Sequence, residues 1–316
     1  MSQVNFVTID EQHEGQRIDN FLMSYFKKLP KSAMYRILRK GEVRVNKKRV
    51  EASYRLTEGD IIRIPPVKDL NPEATEAPQL DYHKRSLLAD CVLFENDQFM
   101  VINKPAGIAV HGGSGHKSGL IETLRLMRPE AKFLELAHRL DKETSGCLLI
   151  AKKSSILKVL HAQLREHKIK KTYHALVLGK WPKQLNRMDA PLCKSIVGAG
   201  ECVVKSEEEG KEALTTFQVL ELFKEVSLIA AFPHTGRTHQ IRVHTQLAGH
   251  PIIGDDKYAD QNSNATLAKR YGSKRMCLHA AKLSFSLNEE SFSIEAPYDA
   301  KFNDILKQLR HEKSSL

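Results

Sequence analysis

No stretch of this chain approaches the roughly 18 consecutive apolar residues of a membrane-spanning helix, so a membrane protein is not expected. The opening residues, Met1-Ser2-Gln3-Val4-Asn5, lack a basic region followed by an apolar core. No secretory signal is expected, which points to the cytoplasm. Cysteine is scarce and odd in number: five residues (91, 147, 193, 202 and 277) with no C-x-x-C pair. They read as reduced, mostly buried thiols of a cytoplasmic protein. The glycine-rich Gly112-Gly113-Ser114-Gly115 lacks the Gly-Lys-Ser/Thr ending of a nucleotide loop and reads as a rim loop. Acidic residues are in deficit, with 38 Asp+Glu against 49 Lys+Arg and a formal charge of +11. Such an excess favours a polyanionic partner through counterion release.

The 316 residues, 41% of them hydrophobic, suit about two domains. Residues 15–64 carry 13 Lys/Arg against 5 Asp/Glu, a net of +8, so most of the excess lies there. Ile18, Phe21, Leu22 and Tyr25 recur at helical spacing, as do Met34, Ile37 and Leu38 after Pro30-Lys31-Ser32. Val43 and Val45 alternate with polar neighbours, and Ile61–Ile64 closes the unit as a second short strand. Arg36, Arg39 and Lys40 share roughly one helix face, with Arg44, Lys47, Lys48 and Arg49 beyond it, which predicts a phosphate-tracking surface. The phrase Ser32 to Asn46 resembles the small RNA-binding module first described in a small-subunit ribosomal protein, the S-four-type domain. Residues 65–86, with Pro65, Pro66, Pro72 and Pro78 among polar and acidic residues, read as an extended linker.

The remainder, 87–316, predicts strands at 92–94, 99–103, 147–152, 173–178, 214–222, 226–232 and 277–285. Helices are predicted at 118–127, 154–166, 238–248 and 299–310. Strands outnumber helices without regular alternation, so the expected class is α+β with a mixed, mainly antiparallel sheet flanked by helices and loops.

Four stretches of this second domain carry chemistry. His138-Arg139-Leu140-Asp141-Lys142-Glu143-Thr144-Ser145-Gly146 sets one carboxylate among cations, with Ser145-Gly146 as a turn before the apolar run Cys147–Ala151. Neighbouring cations favour the charged, nucleophilic form of a carboxylate. Asn103-Lys104-Pro105-Ala106-Gly107 ends a strand on a lysine and a proline turn. Lys171-Thr172-Tyr173 opens a strand with an aromatic hydroxyl. Gly236-Arg237-Thr238-His239-Gln240-Ile241-Arg242-Val243-His244 brings two arginines to the entry of a helix.

Together these phrases resemble the RluA/RluC-type RNA pseudouridine synthases over nearly the whole chain. The H-R-L-D-x-x-T-S-G and G-R-T-H-Q-I-R-V-H phrases carry most of the match. The resemblance implies that Asp141 is the catalytic aspartate, that Tyr173 stacks on the target base, and that Arg242 pairs with Asp141. It also implies that Arg139 supports the disturbed RNA stack. Lys104 and Arg237 are expected RNA contacts, as are Arg36, Arg39, Lys40, Arg44 and Lys47 of the basic unit. The implied substrate is RNA, most like large-subunit ribosomal RNA. A transfer-RNA-modifying enzyme and a non-catalytic ribosome-assembly factor stand as alternatives.

Isomerising uridine neither gains nor loses atoms or electrons, so no cofactor or metal is expected, and the enzyme is read as a monomer. His234, His239 and His244 stand five residues apart, and such steps on a helix point about 140° from one another, a poor metal cage. They read as polar helix residues or RNA contacts. Asp255-Asp256 reads as a turn after Gly254. Asp141 and Glu143, two residues apart on one loop, do not make a convincing glycosidase pair.

Overall fold

The computed structural model describes residues 4–26, 29, 31–66, 82–112, 119–197, 201–272 and 274–314. The chain divides into two compact units, Met1–Gln79 and Leu80–Leu316.

The first unit holds strand β1 (Asn5–Thr8), helices α1 (Ile18–Tyr25) and α2 (Lys31–Arg39), and strands β2 (Arg44–Val45) and β3 (Ile61–Ile64). The strands form an antiparallel sheet in the order β1-β3-β2. Ile18, Phe21 and Leu22 of α1 and Met34, Ile37 and Leu38 of α2 are buried in one core with Val45, Ile62 and Ile64. Each such side chain contributes ~1.5–3 kcal/mol on burial. Asn46 and Lys47, both left-handed, make the two-residue turn that bonds Val45 back to Lys48. β1 lies before residue 15, so the unit begins earlier than the basic composition suggests. Most of the expected linker, residues 67–81, lies outside the described residues.

The second unit opens with α3 (Tyr82–Ala89), which begins inside the expected linker span. There follow β4 (Val92–Glu95), β5 (Phe99–Lys104), α4 (Leu120–Met127), β6 (Glu135–Leu136), β7 (Ser145–Ala151), α5 (Ser154–Arg165) and β8 (Lys170–Leu178). Next come β9 (Arg187–Asp189), the hairpin β10 (Leu192–Val197) and β11 (Glu201–Ser206), β12 (Leu214–Leu222), β13 (Val226–Pro233) and α6 (Gln240–Leu247). α7 (Gln261–Tyr271), β14 (Leu278–Leu287), β15 (Glu290–Glu295) and α8 (Ala300–Ser314) complete the unit.

The main sheet runs β4-β5-β7-β14-β8-β13-β12-β9, with β15 also on β14 and β6 also on β7. Among the described residues its one parallel pairing is β7 with β14, where Ser145 faces His279 and Gly146 faces Ala280. β7 is buried along its whole length, as its unbroken apolar run requires. No helix among the described residues is long and apolar enough to cross a membrane. Cys91, Cys147, Cys193 and Cys277 are free thiols.

Candidate active site

The loop before β7 carries Asp141 to the end of that strand, where β7 pairs with β14. The turn is Asp141–Thr144, closed by the Thr144 amide on the Asp141 carbonyl at 3.2 Å. Ser145-Gly146, expected to form that turn, already belongs to β7. Gly146 has φ +105°, and a Cβ there would lie 2.3 Å from the Ala280 carbonyl oxygen. Only glycine permits this close approach of β7 to β14.

Three groups fix the loop from below. The His138 Nε2 accepts the Leu149 amide at 3.1 Å, folding the loop onto β7. Burial, then the charge of Lys171, draws His138 down to about 4, so the ring stays a neutral acceptor. Ser145 Oγ meets His279 Nδ1 at 2.7 Å and accepts from Arg275, which is paired in turn with Asp299 at 2.6 Å. Lys104 is the third group. Its Nζ donates to the carbonyls of Pro105, Ile108 and Lys142 at 2.8–2.9 Å, which occupies all three N–H bonds of an ammonium.

Lys104 is fully buried, which corrects its expected role as an RNA contact. Burial draws it down to about 7 against the opposing charges of Glu143 and Asp141. Its attachments stitch the end of β5 to the Asp141 loop instead.

Asp141 is 28% exposed, and its Oδ2 lies 3.3 Å from Arg242 Nη1 and 3.8 Å from His239 Nε2. Arg242 is held from α6, whose start is pinned by Gln240. That amide accepts from the Arg237 amide and the Thr235 hydroxyl, and donates to the Leu214 carbonyl and Thr215 Oγ1. The two-pronged grip of Arg242 falls on Asp255, with Nε and Nη2 each 2.7 Å from a carboxylate oxygen. Asp141 receives a single prong, so the expected pairing holds in part and Asp255 is the main partner.

Asp255 is fully buried and also accepts the Lys257 and Tyr258 amides, so it is more than the turn residue its sequence suggested. Burial works against the charge of Arg242. The bonds and charge of Asp255, then those of Asp141, overcome that and hold it above its ordinary range.

Tyr173 sits in β8 opposite Ala280 of β14 and Ala231 of β13. It is 9% exposed, and burial, then the charge of Asp141, pushes its phenol up. Arg139 is exposed beside Asp141 in the chain. Arg237 is exposed on the loop before α6, its Nε on the Glu212 carbonyl at 2.9 Å. In the basic unit Arg36, Arg39, Lys40, Arg44 and Lys47 are all exposed.

The three histidines part company. His234 is exposed, with its Nε2 3.1 Å from Thr216 Oγ1. His244 is buried with both ring nitrogens bonded, to Thr215 Oγ1 and the Ala190 carbonyl. His239 alone faces Asp141. Among the described residues no three His, Cys, Asp or Glu side chains cluster to hold a metal ion. The Gly112–Gly115 loop lies mostly outside the described residues.

Comparison with known proteins places this geometry. The model of the RNA pseudouridylate synthase family matches residues 98–247, and that of the S4 domain matches 16–62. The chain is 50% identical over 311 residues to ribosomal large subunit pseudouridine synthase C of Vibrio parahaemolyticus, covering 98% of both chains. It is 50% identical over 313 residues to the protein of the same name from Escherichia coli, again covering 98% of both. The solved structure of human RNA pseudouridylate synthase domain containing 4 aligns with a TM-score of 0.60 at 26% identity. That alignment spans 72% of this chain and 97% of the human one.

Proposed function

The chain belongs to the RNA pseudouridylate synthase family, and from that premise we propose that it isomerises uridines of large-subunit ribosomal RNA, acting in the cytoplasm as a monomer, with Asp141 as nucleophile. The reaction breaks the bond from the base nitrogen to the ribose, turns the uracil, and rejoins it through carbon 5. One proton leaves carbon 5 and one is regained at the freed nitrogen, so the balance calls for no cofactor. It calls for a carboxylate within reach of the nucleotide, a proton acceptor, and walls that retain the detached base.

The observation that carries the reading is Asp141 itself, a partly exposed carboxylate with a buried arginine 3.3 Å away. Arg242 directs it while Asp255 keeps the guanidinium in place. Tyr173 supplies a flat ring for the uracil and a phenol hydroxyl that relays the carbon 5 proton. Arg139 and Arg237 are exposed cations suited to the RNA backbone, and the basic first unit adds affinity for phosphates. Lifting the target from its stack costs a few kcal/mol, which these contacts and base stacking offset. Identity to two ribosomal large subunit synthases over 98% of their length supports the ribosomal substrate.

Tritium release from uridine-labelled RNA tests the chemistry. Asp141→Asn is expected to release none above background while still binding RNA, because losing a negative charge cannot weaken attraction to phosphate. Turnover near the wild-type rate would overturn the assignment. Offering large-subunit ribosomal RNA and transfer RNA side by side tests the substrate, with the ribosomal RNA expected to react faster.

A further inference from the structure

His239 occupies a place that the proposed chemistry leaves unused. It precedes α6 in the left-handed conformation, at φ 53° and ψ 17°, which non-glycine residues adopt at a cost and retain mainly where the surroundings enforce it. Its side chain is 11% exposed. One ring nitrogen, Nδ1, lies 2.7 Å from the Tyr258 hydroxyl. The other, Nε2, lies 3.8 Å from Asp141 Oδ2.

The hydroxyl of Tyr258 accepts the Val204 amide of β11 at 3.0 Å. Its backbone amide is held by Asp255, and its ring lies 5.0 Å under the Arg242 guanidinium. Tyr258 therefore joins the Asp255–Arg242 pair to the imidazole.

We propose that His239 is a positioning residue for the reaction, its Nε2–H steering the Asp141 carboxylate, with Tyr258 selecting the tautomer that puts the hydrogen on Nε2. In the proposed arrangement the phenol oxygen accepts from Val204 while its single hydrogen points to Nδ1. A proton on Nε2 follows, since a neutral imidazole carries one donor and one acceptor. A movement of about 1 Å brings Nε2 from its present distance into hydrogen-bonding range of Asp141.

A neutral donor suits this task better than a second cation. Arg242 already gives Asp141 a full charge, and an imidazolium would bind the carboxylate more tightly and blunt its attack. The charged groups facing His239 are Asp141 on its loop, Arg242 on α6, and Asp255 and Lys257 on the segment after Gly254. Burial lowers the affinity of His239 for a second proton, Arg242 and Lys257 act in the same sense, and the two aspartates oppose them. Acidification then converts the neutral donor into the cation, and the rate falls.

The inference rests on Asp141 as the nucleophile. Its test is single-turnover tritium release by the full chain between pH 5 and 8, comparing wild type, His239→Ala, His239→Gln, Tyr258→Phe and Asp141→Asn. RNA affinity and melting temperature are read for each. His239→Ala is expected to lose about tenfold or more in rate near pH 7.5, with RNA affinity little changed. His239→Gln, which keeps an N–H donor that does not titrate, is expected to recover most of the rate. It should also lack the acid limb that wild type shows below the ordinary histidine range. Tyr258→Phe should fall between, as both tautomers become populated.

A wild-type rate for His239→Ala, or the same acid limb in wild type and His239→Gln, overturns the role of His239. If Asp141→Asn stays inactive in that case, only this inference fails. If Asp141→Asn is active, the nucleophile assignment fails with it.

Discussion

Arg242 joins two carboxylates of different character, one buried and gripped by both prongs, the other partly exposed and touched by one. A guanidinium holds this geometry where an ammonium has no second prong to offer. Arg242→Lys is therefore expected to lose most turnover and also stability, because Asp255 loses half of its fork. Asp255→Asn should act the same way from the other side, destabilising by ~3–5 kcal/mol, since it leaves a buried arginine without its main partner. Urea denaturation and tritium release of both variants check this, and a stable, active Asp255→Asn would refute it.

The buried histidines make a prediction about acid. His279 is fully buried, with its Nε2 on the Ala296 carbonyl, and burial draws it to about 4, as it does His138. The unfolded chain takes up these protons near pH 6.5, before the folded chain does. The stabilisation is thus whole above about 6.5 and is lost as pH falls toward 4. Stability at pH 5 should lie below that at pH 7 by about 2 kcal/mol for each such histidine. A flat denaturation midpoint across that interval would contradict it.

Strands β7 and β14 form the one parallel contact described in the sheet, and it stands directly behind the Asp141 loop. Gly146 makes the contact possible, and Ser145 ties it to His279 and Arg275. Gly146→Ala is expected to force the strands apart, with backbone strain of ~1–3 kcal/mol added to the collision. The melting temperature should drop, and turnover should fall by more than the unfolded fraction explains, since the loop moves with the strand. A variant with wild-type melting and turnover would show that the approach is not needed. Helix α6 shows a related division of labour: Gln240 pins its start, His244 anchors its buried side, and Arg242 is left to reach the site.

The two units have separate hydrophobic cores, one drawn from residues between Ile9 and Ile64 and the other from residues between Leu88 and Leu309. Removing residues 1–79 should therefore leave the second unit folded and its chemistry intact. RNA binding should weaken, and the slope of log affinity against log salt should become shallower by ~0.7–0.9 for every phosphate that is no longer neutralised. An unchanged slope would mean that the basic residues of the first unit do not neutralise phosphates.

Much of this was legible from the sequence because it depends on local periodicity. The helices predicted at 118–127 and 154–166 and the strands at 214–222 and 226–232 overlap α4, α5, β12 and β13, because apolar spacing marks them. Asp141 and Arg242 stood out because their phrases are specific in residue type and order, and Tyr173 only through the resemblance those phrases carry. The β10–β11 hairpin and α7 escaped, as their polar sequences carry little periodicity and lean on tertiary contacts.

Only the folded chain decides partnership. A lysine at a strand end looks like an RNA contact until three backbone carbonyls close around it, as they do around Lys104. Asp255 looks like a turn residue until α6 swings Arg242 against it. His239 looks like one of three equivalent histidines until the left-handed turn separates it from the others. Sequence sets which groups a chain can offer and which elements carry them. Which of them meet depends on contacts between residues as far apart as 145 and 279, and no local pattern encodes those.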